Sequence, residues 1–325
     1  MRIVVIGGTG HVGGYLVPRL VAAGHEVISI SRGHREPYRA HPAWNRVEKV
    51  VIDREAEDAA GTFAGRIADF SADVVVDMVC FTPESAGQLV DALRGRTGLL
   101  VSCGSIWSHG TLAEVPATED AVRHPWGEYG IGKSAIEDLL LAQSRRPGGV
   151  PSVVLHPGHI SGPGWPVINP VGNVDLSVWE KLAAGDELLV PHLGLETVHH
   201  VHADDVAQAF QLAIQRSNEA VGNAFNVVSD RALTLRGFAE AVAGWFGRDA
   251  ALRFVPFDEF RAATDAAHAD TSWEHIAHSH SMSIDKARRL LGYAPRYTSL
   301  QAVAEAVAWL QRDGQLSLGG MRPPL

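Results

Sequence analysis

The stretch VVIGGTGHVGG, residues 4–14, places a short apolar run directly before a cluster of glycines. Gly7, Gly10 and Gly13 follow the pattern G-x-x-G-x-x-G, which is typical of the turn between the first strand and the first helix of a dinucleotide-binding fold. The first glycine permits the tight turn, the second lets the backbone approach a pyrophosphate, and the third lets the helix pack closely on the sheet. Free N–H groups at the start of the helix then face the phosphates. The stretch therefore predicts a dinucleotide site, with a purely structural turn as the alternative.

Apolar runs and amphipathic stretches alternate through the first half of the chain. The runs cover residues 3–6, 27–30, 47–52, 74–79 and 99–102, and the stretches between them cover residues 11–23, 55–70 and 83–93. Because the runs are almost continuously apolar, they are typical of parallel strands that are buried on both faces. A longer helix over 129–144 and a strand over 152–156 follow. This alternation predicts an α/β fold with a doubly wound parallel sheet.

Composition and charge exclude several classes of partner. The chain has 325 residues, a formal net charge of −9 and two cysteines, Cys80 and Cys103. An acidic chain without a basic run repels phosphate backbones, so we expect no nucleic-acid partner. No stretch reaches the ~18 apolar residues of a membrane helix, so we expect no membrane partner. Two cysteines cannot form a disulfide framework, which fits a reduced, cytoplasmic setting.

The end of the second predicted strand, ISISRGHRE at residues 28–36, indicates which dinucleotide binds. An NAD-preferring site carries Asp or Glu there for the ribose hydroxyl, and this stretch has no acidic residue at its tip. Arg32 can pair with a 2′-phosphate and Ser31 can donate a hydrogen bond to it. We therefore expect NADP as the cofactor, with NAD possible. Asp53, after the third strand, could accept a hydrogen bond from the adenine amino group, or could be a plain surface residue.

The segment GEYGIGKSAIEDLLL, residues 127–141, contains a tyrosine and a lysine four residues apart. Tyr129 and Lys133 therefore share one face of the predicted helix. A phenol is a poor acid or base at neutral pH, but a nearby ammonium group favours the phenolate and lowers its pKa. The pair suits proton transfer coupled to hydride transfer, and Lys133 could also hold the nicotinamide ribose.

Six segments, in the same order along the chain, are similar to those of one family. They are GGTGHVGG (7–14), YGIGK (129–133), HPGHISGPG (156–164), HHVHADDVAQAF (199–210), AFNVVSD (224–230) and SIDKARRLLGYAPR (283–296). On these segments the chain resembles the extended short-chain dehydrogenase/reductase family, which contains NAD(P)-dependent epimerases and dehydratases. The resemblance implies a Rossmann-type domain formed by residues 1–161 with 199–228, and a smaller α/β C-terminal substrate-binding domain formed by 162–198 with 229–325. It also implies a homodimer.

Further cofactor contacts are implied by the resemblance. They are Thr9, His11, Val12, Val79, Pro157, Gly158 and Ile160, in addition to Gly7, Gly10, Gly13, Ser31, Arg32, Asp53 and Lys133. Pro157 and Gly158 look like the family's backbone contact to the nicotinamide carboxamide, or could simply form the turn that ends a strand.

The family's catalytic hydroxyl is absent from its usual position. In the family, a Ser or Thr hydroxyl on the strand before the tyrosine hydrogen-bonds the reacting carbonyl or alcohol. Aligning SCGSIWSHG, residues 102–110, with that segment puts Cys103 at this position. Cys103 could act as a weaker S–H donor, Ser105 or Ser102 could supply the hydroxyl from a shifted turn, or ordinary redox activity could be lost. A nucleophilic thiol is disfavoured because no basic group adjoins Cys103 in the sequence.

Several residues are candidates to contact the substrate. They are Trp107, Trp165, Asn169, Asn173 and Trp179, with Arg253 and Arg261 as weaker candidates for a diphosphate. His275, His278 and His280 have a spacing that could bind a metal, could line a pocket, or could belong to an ordinary loop. We expect no metal, because the resemblance implies no catalytic metal.

These patterns predict an NAD(P)-dependent oxidoreductase that transfers hydride between the nicotinamide and a hydroxy or keto small molecule, such as a sugar nucleotide or a natural-product intermediate. Dehydration is disfavoured because Gly104 and Ser105 occupy the positions where the family's dehydratases carry an Asp-Glu pair. The alternatives are an epimerase with transient redox, or a non-catalytic NADP-binding sensor or RNA-binding relative.

Overall fold

The computed structural model describes residues 1–37 and 39–324. Its strands are β1 (Arg2–Ile6), β2 (Glu26–Ser31), β3 (Glu48–Val51), β4 (Val74–Asp77), β5 (Leu99–Cys103), β6 (Ser152–Pro157), β7 (His159–Ser161), β8 (Leu188–Pro191), β9 (Thr197–Val198), β10 (His200–His202), β11 (Ala224–Val227), β12 (Leu233–Thr234) and β13 (Leu252–Val255). Its α-helices are α1 (Gly13–Ala22), α2 (Arg54–Ala59), α3 (Phe63–Asp69), α4 (Pro83–Leu93), α5 (Gly127–Ser144), α6 (Ser177–Ala184), α7 (Ala203–Gln215), α8 (Ser217–Ala220), α9 (Leu235–Trp245), α10 (Phe257–Ala262), α11 (Ala266–His278), α12 (Asp285–Leu291) and α13 (Ser299–Arg312). Short 3₁₀ helices cover Pro42–Arg46 and Ile106–His109.

A parallel sheet carries the glycine-rich turn. Its strands lie in the order β11-β6-β5-β4-β1-β2-β3. β1 pairs with β2 on one side and with β4 on the other, so Val5 lies beside Ser29 and Val76. The direction of winding therefore reverses at β1, and the carboxyl ends of β1 and β4 border a crevice, which is where such sheets bind ligands. The predicted Rossmann-type, doubly wound fold is confirmed.

Hydrophobic clusters cover both faces of this sheet. Val5 belongs to the cluster that includes α1 and α7, and Val4 belongs to the cluster that includes α3, α4 and α5. Burial on both faces explains the continuous apolar runs at β1, β4 and β5. β3 differs because it is the edge strand, and Val51 is 65% exposed. The expectation that every strand is buried on both faces is therefore wrong for β3.

The C-terminal segments form a third hydrophobic cluster. It is formed by apolar side chains from residues 167–198, α9 and α13. Trp179 packs edge-on against Phe238 within it. Met282 and Tyr293 instead belong to a cluster beneath the large sheet. The division into two discontinuous domains stays a prediction. Among the residues described, no helix is long and apolar enough to cross a membrane.

Two helical predictions need correction. The stretch 55–70 forms two helices, α2 and α3, because Gly61 between them takes a φ of +69°. α10, α11 and α12 were not predicted from the sequence. An ordinary loop was one of the possibilities for the segment around His275, and this segment is the last turn of α11.

Candidate active site

The glycine-rich turn has the close backbone packing that a dinucleotide site needs. Gly7 has a φ of +87°, which L side chains rarely adopt. A Cβ on Gly13 would lie 2.3 Å from the carbonyl oxygen of Gly8, so only glycine fits there. α1 begins at Gly13 with no side-chain cap and no acidic residue in its first turn. Its N–H groups therefore remain available for a phosphate, and the turn fits a dinucleotide.

His11 joins this turn to the loop that follows β7. Its Nε2 atom lies 3.1 Å from the carbonyl oxygen of Pro163, and its ring stacks on Trp165 at 5.7 Å. Burial lowers the pKa of His11 to about 3, so the ring is neutral at physiological pH. The structure thus places Trp165, a predicted substrate contact, beside His11, a predicted cofactor contact.

The predicted adenosine-side residues lie at the carboxyl ends of β2 and β3. Ser31 accepts a hydrogen bond from the N–H of Gly33 at 3.3 Å. Arg32 is exposed and, within the part of the chain described, has no carboxylate partner. Asp53 caps α2 by accepting a hydrogen bond from the N–H of Ala56 at 3.3 Å, and it remains exposed. None of these contacts prevents Arg32 from reaching a phosphate.

A buried ion network beside the crevice was missed by the sequence analysis. Arg54 donates a hydrogen bond to the carboxylate of Asp77, at the end of β4, at 2.6 Å. It also pairs with Asp58 and with the hydroxyl of Ser85. Desolvation is the largest single effect and opposes the charge on Arg54, but Asp77, Cys80 and Asp58 together outweigh it and raise the pKa of Arg54. No local pattern connects residues this far apart in sequence, so only the fold reveals the network.

Lys133 lies beneath the site, between the ends of β4 and β5. Its ammonium group donates hydrogen bonds to the carbonyl oxygens of Cys80 at 2.8 Å and Cys103 at 2.7 Å, and it is 2% exposed. The same group lies 5.7 Å from the ring centre of Tyr129. Two of its three protons are therefore used by the backbone, and one is left for a ligand.

The pKa of Tyr129 is raised in the protein alone. Burial raises the pKa of this phenol to about 12, Cys103 raises it further, and a hydrogen bond with the side chain of Ser105 lowers it. In the protein alone desolvation dominates and Lys133 does not offset it, so the lowering expected from Lys133 together with a bound oxidised nicotinamide stays a prediction. Tyr129 is therefore a protonated phenol at neutral pH. Its side chain remains 44% exposed, so a ligand can reach it.

Ser105 is better placed than Cys103 to act with Tyr129. Its side chain lies close enough to the phenol to lower the pKa of Tyr129, and it accepts a hydrogen bond from the N–H of Trp107 at 3.1 Å. The thiol of Cys103 points to the neighbouring carbonyl oxygen of Gly104, 3.8 Å away. Burial raises the pKa of this thiol, which disfavours a reactive thiolate. The geometry therefore favours the shifted-turn interpretation, in which Ser105 replaces the family's Ser or Thr.

Rings from α11 and the loop after β5 continue the site beyond Tyr129. Trp107 meets Tyr129 edge-on at 5.7 Å and stacks on His278 at 4.4 Å. His275 meets Trp107 at 5.2 Å, and His280 lies 5.0 Å from His278. Across residues 1–37 and 39–324, no group of three His, Cys, Asp or Glu residues is arranged to hold a metal.

The family model of NAD dependent epimerases and dehydratases matches residues 3–227. The chain belongs to this family. A 2′-dehydrokanamycin reductase of Streptomyces kanamyceticus is 26% identical over 97% of this chain and 86% of its own length. The chloroplast stem-loop binding protein of 41 kDa b from Arabidopsis thaliana is 24% identical over 94% of this chain and 78% of its own. The structure of a UDP-glucuronic acid 4-epimerase from Bacillus cereus, with UDP-glucuronic acid and NAD, has a TM-score of 0.71 at 15% identity, covering 96% of this chain and 99% of that one.

Membership of the epimerase/dehydratase family confirms the prediction of an NAD(P)-dependent enzyme of the extended short-chain type. The remaining expected cofactor contacts stay predictions, and the structure places them in the glycine-rich turn, after β4, and at β6 and β7. Val79 packs against Gly7, and Thr9 and Val12 belong to the glycine-rich turn. Pro157 ends β6, Gly158 donates its N–H to Val227 at 3.1 Å, and Ile160 lies in β7.

Three predicted substrate contacts are structural in this enzyme. Asn169 donates a hydrogen bond to the carbonyl oxygen of Asp175 at 3.0 Å, and Asn173 donates one to the hydroxyl of Ser272 at 3.0 Å. Trp179 has no exposed surface. Because all three side chains are buried in the loop or the core, their prediction as substrate contacts is wrong.

The two arginines considered for a diphosphate are also engaged elsewhere. Arg253 pairs with Glu187 and Glu259, and Arg261 pairs with Asp270, all at the surface. Both arginines therefore have carboxylate partners within the C-terminal segments, which disfavours them as ligands of a diphosphate.

Proposed function

We propose that this enzyme is an NADP-preferring reductase that converts a ketone of a hydroxylated small molecule into an alcohol. The observation that carries the proposal is that the Ser105 side chain lies near the Tyr129 phenol, whose ring centre is 5.7 Å from the ammonium group of the buried Lys133. The 2′-dehydrokanamycin reductase among its relatives supports the same direction of reaction. A cytoplasmic homodimer remains an expectation from the resemblance.

Tyr129, Ser105 and Lys133 each have a separate role in carbonyl reduction. The nicotinamide, when bound, supplies the hydride. Tyr129 holds its proton at neutral pH, because its pKa lies near 12, and donates that proton to the substrate oxygen as negative charge develops there. Ser105 donates a hydrogen bond to the same oxygen and stabilises that charge. Lys133 keeps one donor for the nicotinamide ribose.

A protonated phenol is the form that donates a proton in carbonyl reduction, and the burial that raises the pKa of Tyr129 favours that form. Gly104, at one position of the dehydratase Asp-Glu pair, lies against His156 and Val154 with no room for a larger side chain.

Arg32 supports the preference for NADP over NAD. It is exposed at the end of β2, beside Ser31, and pairs with no carboxylate among the residues described. A guanidinium group suits a 2′-phosphate because it can form two parallel hydrogen bonds with it. The family model names NAD and therefore does not support NADP. The proposed preference for NADP over NAD rests on Arg32.

Two measurements test the proposal. Fluorescence titration should show NADPH binding at least about tenfold tighter than NADH, and Arg32→Ala should remove that difference. Arg94→Ala, a change at another exposed arginine, serves as the matched control. Tighter binding of NADH would refute the role of Arg32.

The second measurement separates reductase from epimerase. With 2′-dehydrokanamycin as the probe, we expect one NADPH consumed for each alcohol formed. With UDP-glucose we expect no epimerised product. Epimerised product without net cofactor consumption, or full activity in Tyr129→Phe, would refute the proposed reduction.

A further inference from the structure

A continuous aromatic surface extends from the catalytic tyrosine to the end of α11. We define the aromatic wall as Trp107, Trp126, His275 and His278. His278 is stacked between Trp107, at 4.4 Å, and Trp126, at 4.0 Å. Trp107, Trp126 and His275 are all partly exposed. Because Trp107 also meets the 44% exposed Tyr129 edge-on at 5.7 Å, the wall is continuous with the ring of the catalytic phenol.

The positions of the protons on the two imidazoles follow from their hydrogen bonds. The Nδ1 atom of His275 lies 2.8 Å from the carbonyl oxygen of Thr271, and that of His278 lies 2.7 Å from the carbonyl oxygen of Glu274. A carbonyl oxygen only accepts, so both Nδ1 atoms carry the proton and donate it. Each Nε2 atom is therefore a hydrogen-bond acceptor. The Nε2 atom of His278 is buried and has no partner among the residues described.

The wall is also uncharged. Burial lowers the pKa of His275 to about 4 and lowers the pKa of His278. The neighbouring His159, 4.9 Å from His275, and His280 are neutral for the same reason. A carboxylate or phosphate brings only acceptors and would face lone pairs here, whereas a hydroxyl group can donate. The indole faces can pack against the C–H face of a ring.

We propose that the aromatic wall binds the ring that carries the reacting carbon, that this ring bears hydroxyl groups and no carboxylate or phosphate, and that the Nε2 atom of His275 accepts a hydrogen bond from one of the hydroxyl groups. His275 is then a specificity-determining residue that separates a hydroxylated ring from one carrying a carboxylate. This inference rests on the proposed function, because it takes the side of Tyr129 as the place where the substrate reacts.

The test uses the full chain saturated with NADP⁺ and two small probes, methyl α-D-glucopyranoside and D-glucuronate. Ligand-observed NMR titration gives a dissociation constant for each probe. We expect the glucoside to bind at least about tenfold tighter than the glucuronate, a factor that one hydrogen bond and one repulsive contact can supply. His275→Phe should weaken the glucoside about tenfold and leave the glucuronate unchanged, since the ring is kept and the acceptor is lost.

Two further variants keep the test decisive. His268→Phe changes a histidine of the same helix that makes no ring contact with the wall, and it should bind both probes like the unmodified chain. His275→Gln restores an acceptor and should recover part of the glucoside affinity. NADPH binding, measured on each variant, shows that it is folded.

Four results would overturn the inference. They are equal binding of the two probes, tighter binding of glucuronate, no binding of either probe, and a loss of glucoside affinity in His268→Phe equal to that in His275→Phe. Failure of the unmodified chain to bind NADPH would instead refute the proposed function. The two failures are therefore distinguishable in one set of samples.

Discussion

Mild acid should destabilise this protein through its buried histidines. Four histidines, His109, His199, His200 and His280, are at most 1% exposed. Burial lowers the pKa of His109 and His199 to about 4, and the pKa of His200 and His280 to about 3. In the unfolded chain each of them returns to a pKa near ~6.5.

The sign and size of the effect follow from this difference. Between about pH 6.5 and 4 the unfolded chain binds protons that the folded chain does not, so the free energy of unfolding decreases as the pH falls through this window. Each imidazole contributes up to about 1.4 kcal/mol for each full pH unit, and about 1.3 kcal/mol is lost per imidazole between about pH 7.5 and 5.5. The four together lose about 5 kcal/mol, which is large against the ~5–15 kcal/mol of a typical domain.

Urea unfolding followed by tryptophan fluorescence, at about pH 7.5, 6.5 and 5.5, measures this loss directly. The lowest of these pH values, about 5.5, is chosen because the pKa of Glu137 is lowered to about 2 by His156. Protonation of Glu137 therefore reduces the free energy of unfolding only at more acid pH. His200→Phe should make the pH dependence shallower by about one proton, and the exposed His34→Phe should not change it. A free energy of unfolding that stays constant from about pH 7.5 to 5.5 would refute the reasoning.

Three further predictions concern the site. Gly13→Ala should abolish NADPH binding in a fluorescence titration, since its Cβ would lie 2.3 Å from a backbone oxygen. Gly244→Ala, whose Cβ would meet nothing within 4 Å, should leave binding intact, and equal affinity in the two variants would contradict the role of the glycine-rich turn. Ser105→Ala should lower kcat about a hundredfold by removing a donor to the reacting oxygen, and Cys103→Ala should change it less than about threefold; the reverse order would restore the cysteine as the donor. Arg54→Met should cost about 3–5 kcal/mol in a urea titration because it leaves a buried carboxylate unpaired, and a loss below about 1 kcal/mol would contradict that burial.

The local features of the fold were predictable from the sequence. The apolar runs became β1, β4 and β5 because burial on both faces requires them, and the G-x-x-G-x-x-G pattern became a turn because only glycine fits at Gly13. The pair Tyr129 and Lys133 shares α5, as the i, i+4 spacing requires. Each of these features depends on neighbours a few residues away.

Features that depend on distant contacts were not predictable. The pairing of Arg54 with Asp77 joins two strand ends, and the contact of Trp107 with His278 joins the loop after β5 to α11. Trp179 looked like a pocket residue and is a core residue, because its helix packs against α9. The sequence left the choice between Cys103 and Ser105 open because it depends on how the chain turns at the end of β5.

A crystal structure of the complex with NADP tests the central claim most directly. We predict that the Ser105 hydroxyl and the Tyr129 phenol oxygen lie within about 4 Å of each other and that both border the space beside the reacting carbon of the nicotinamide, where the substrate oxygen binds. A thiol of Cys103 in that place, or a Tyr129 side chain turned away from the nicotinamide, would contradict it.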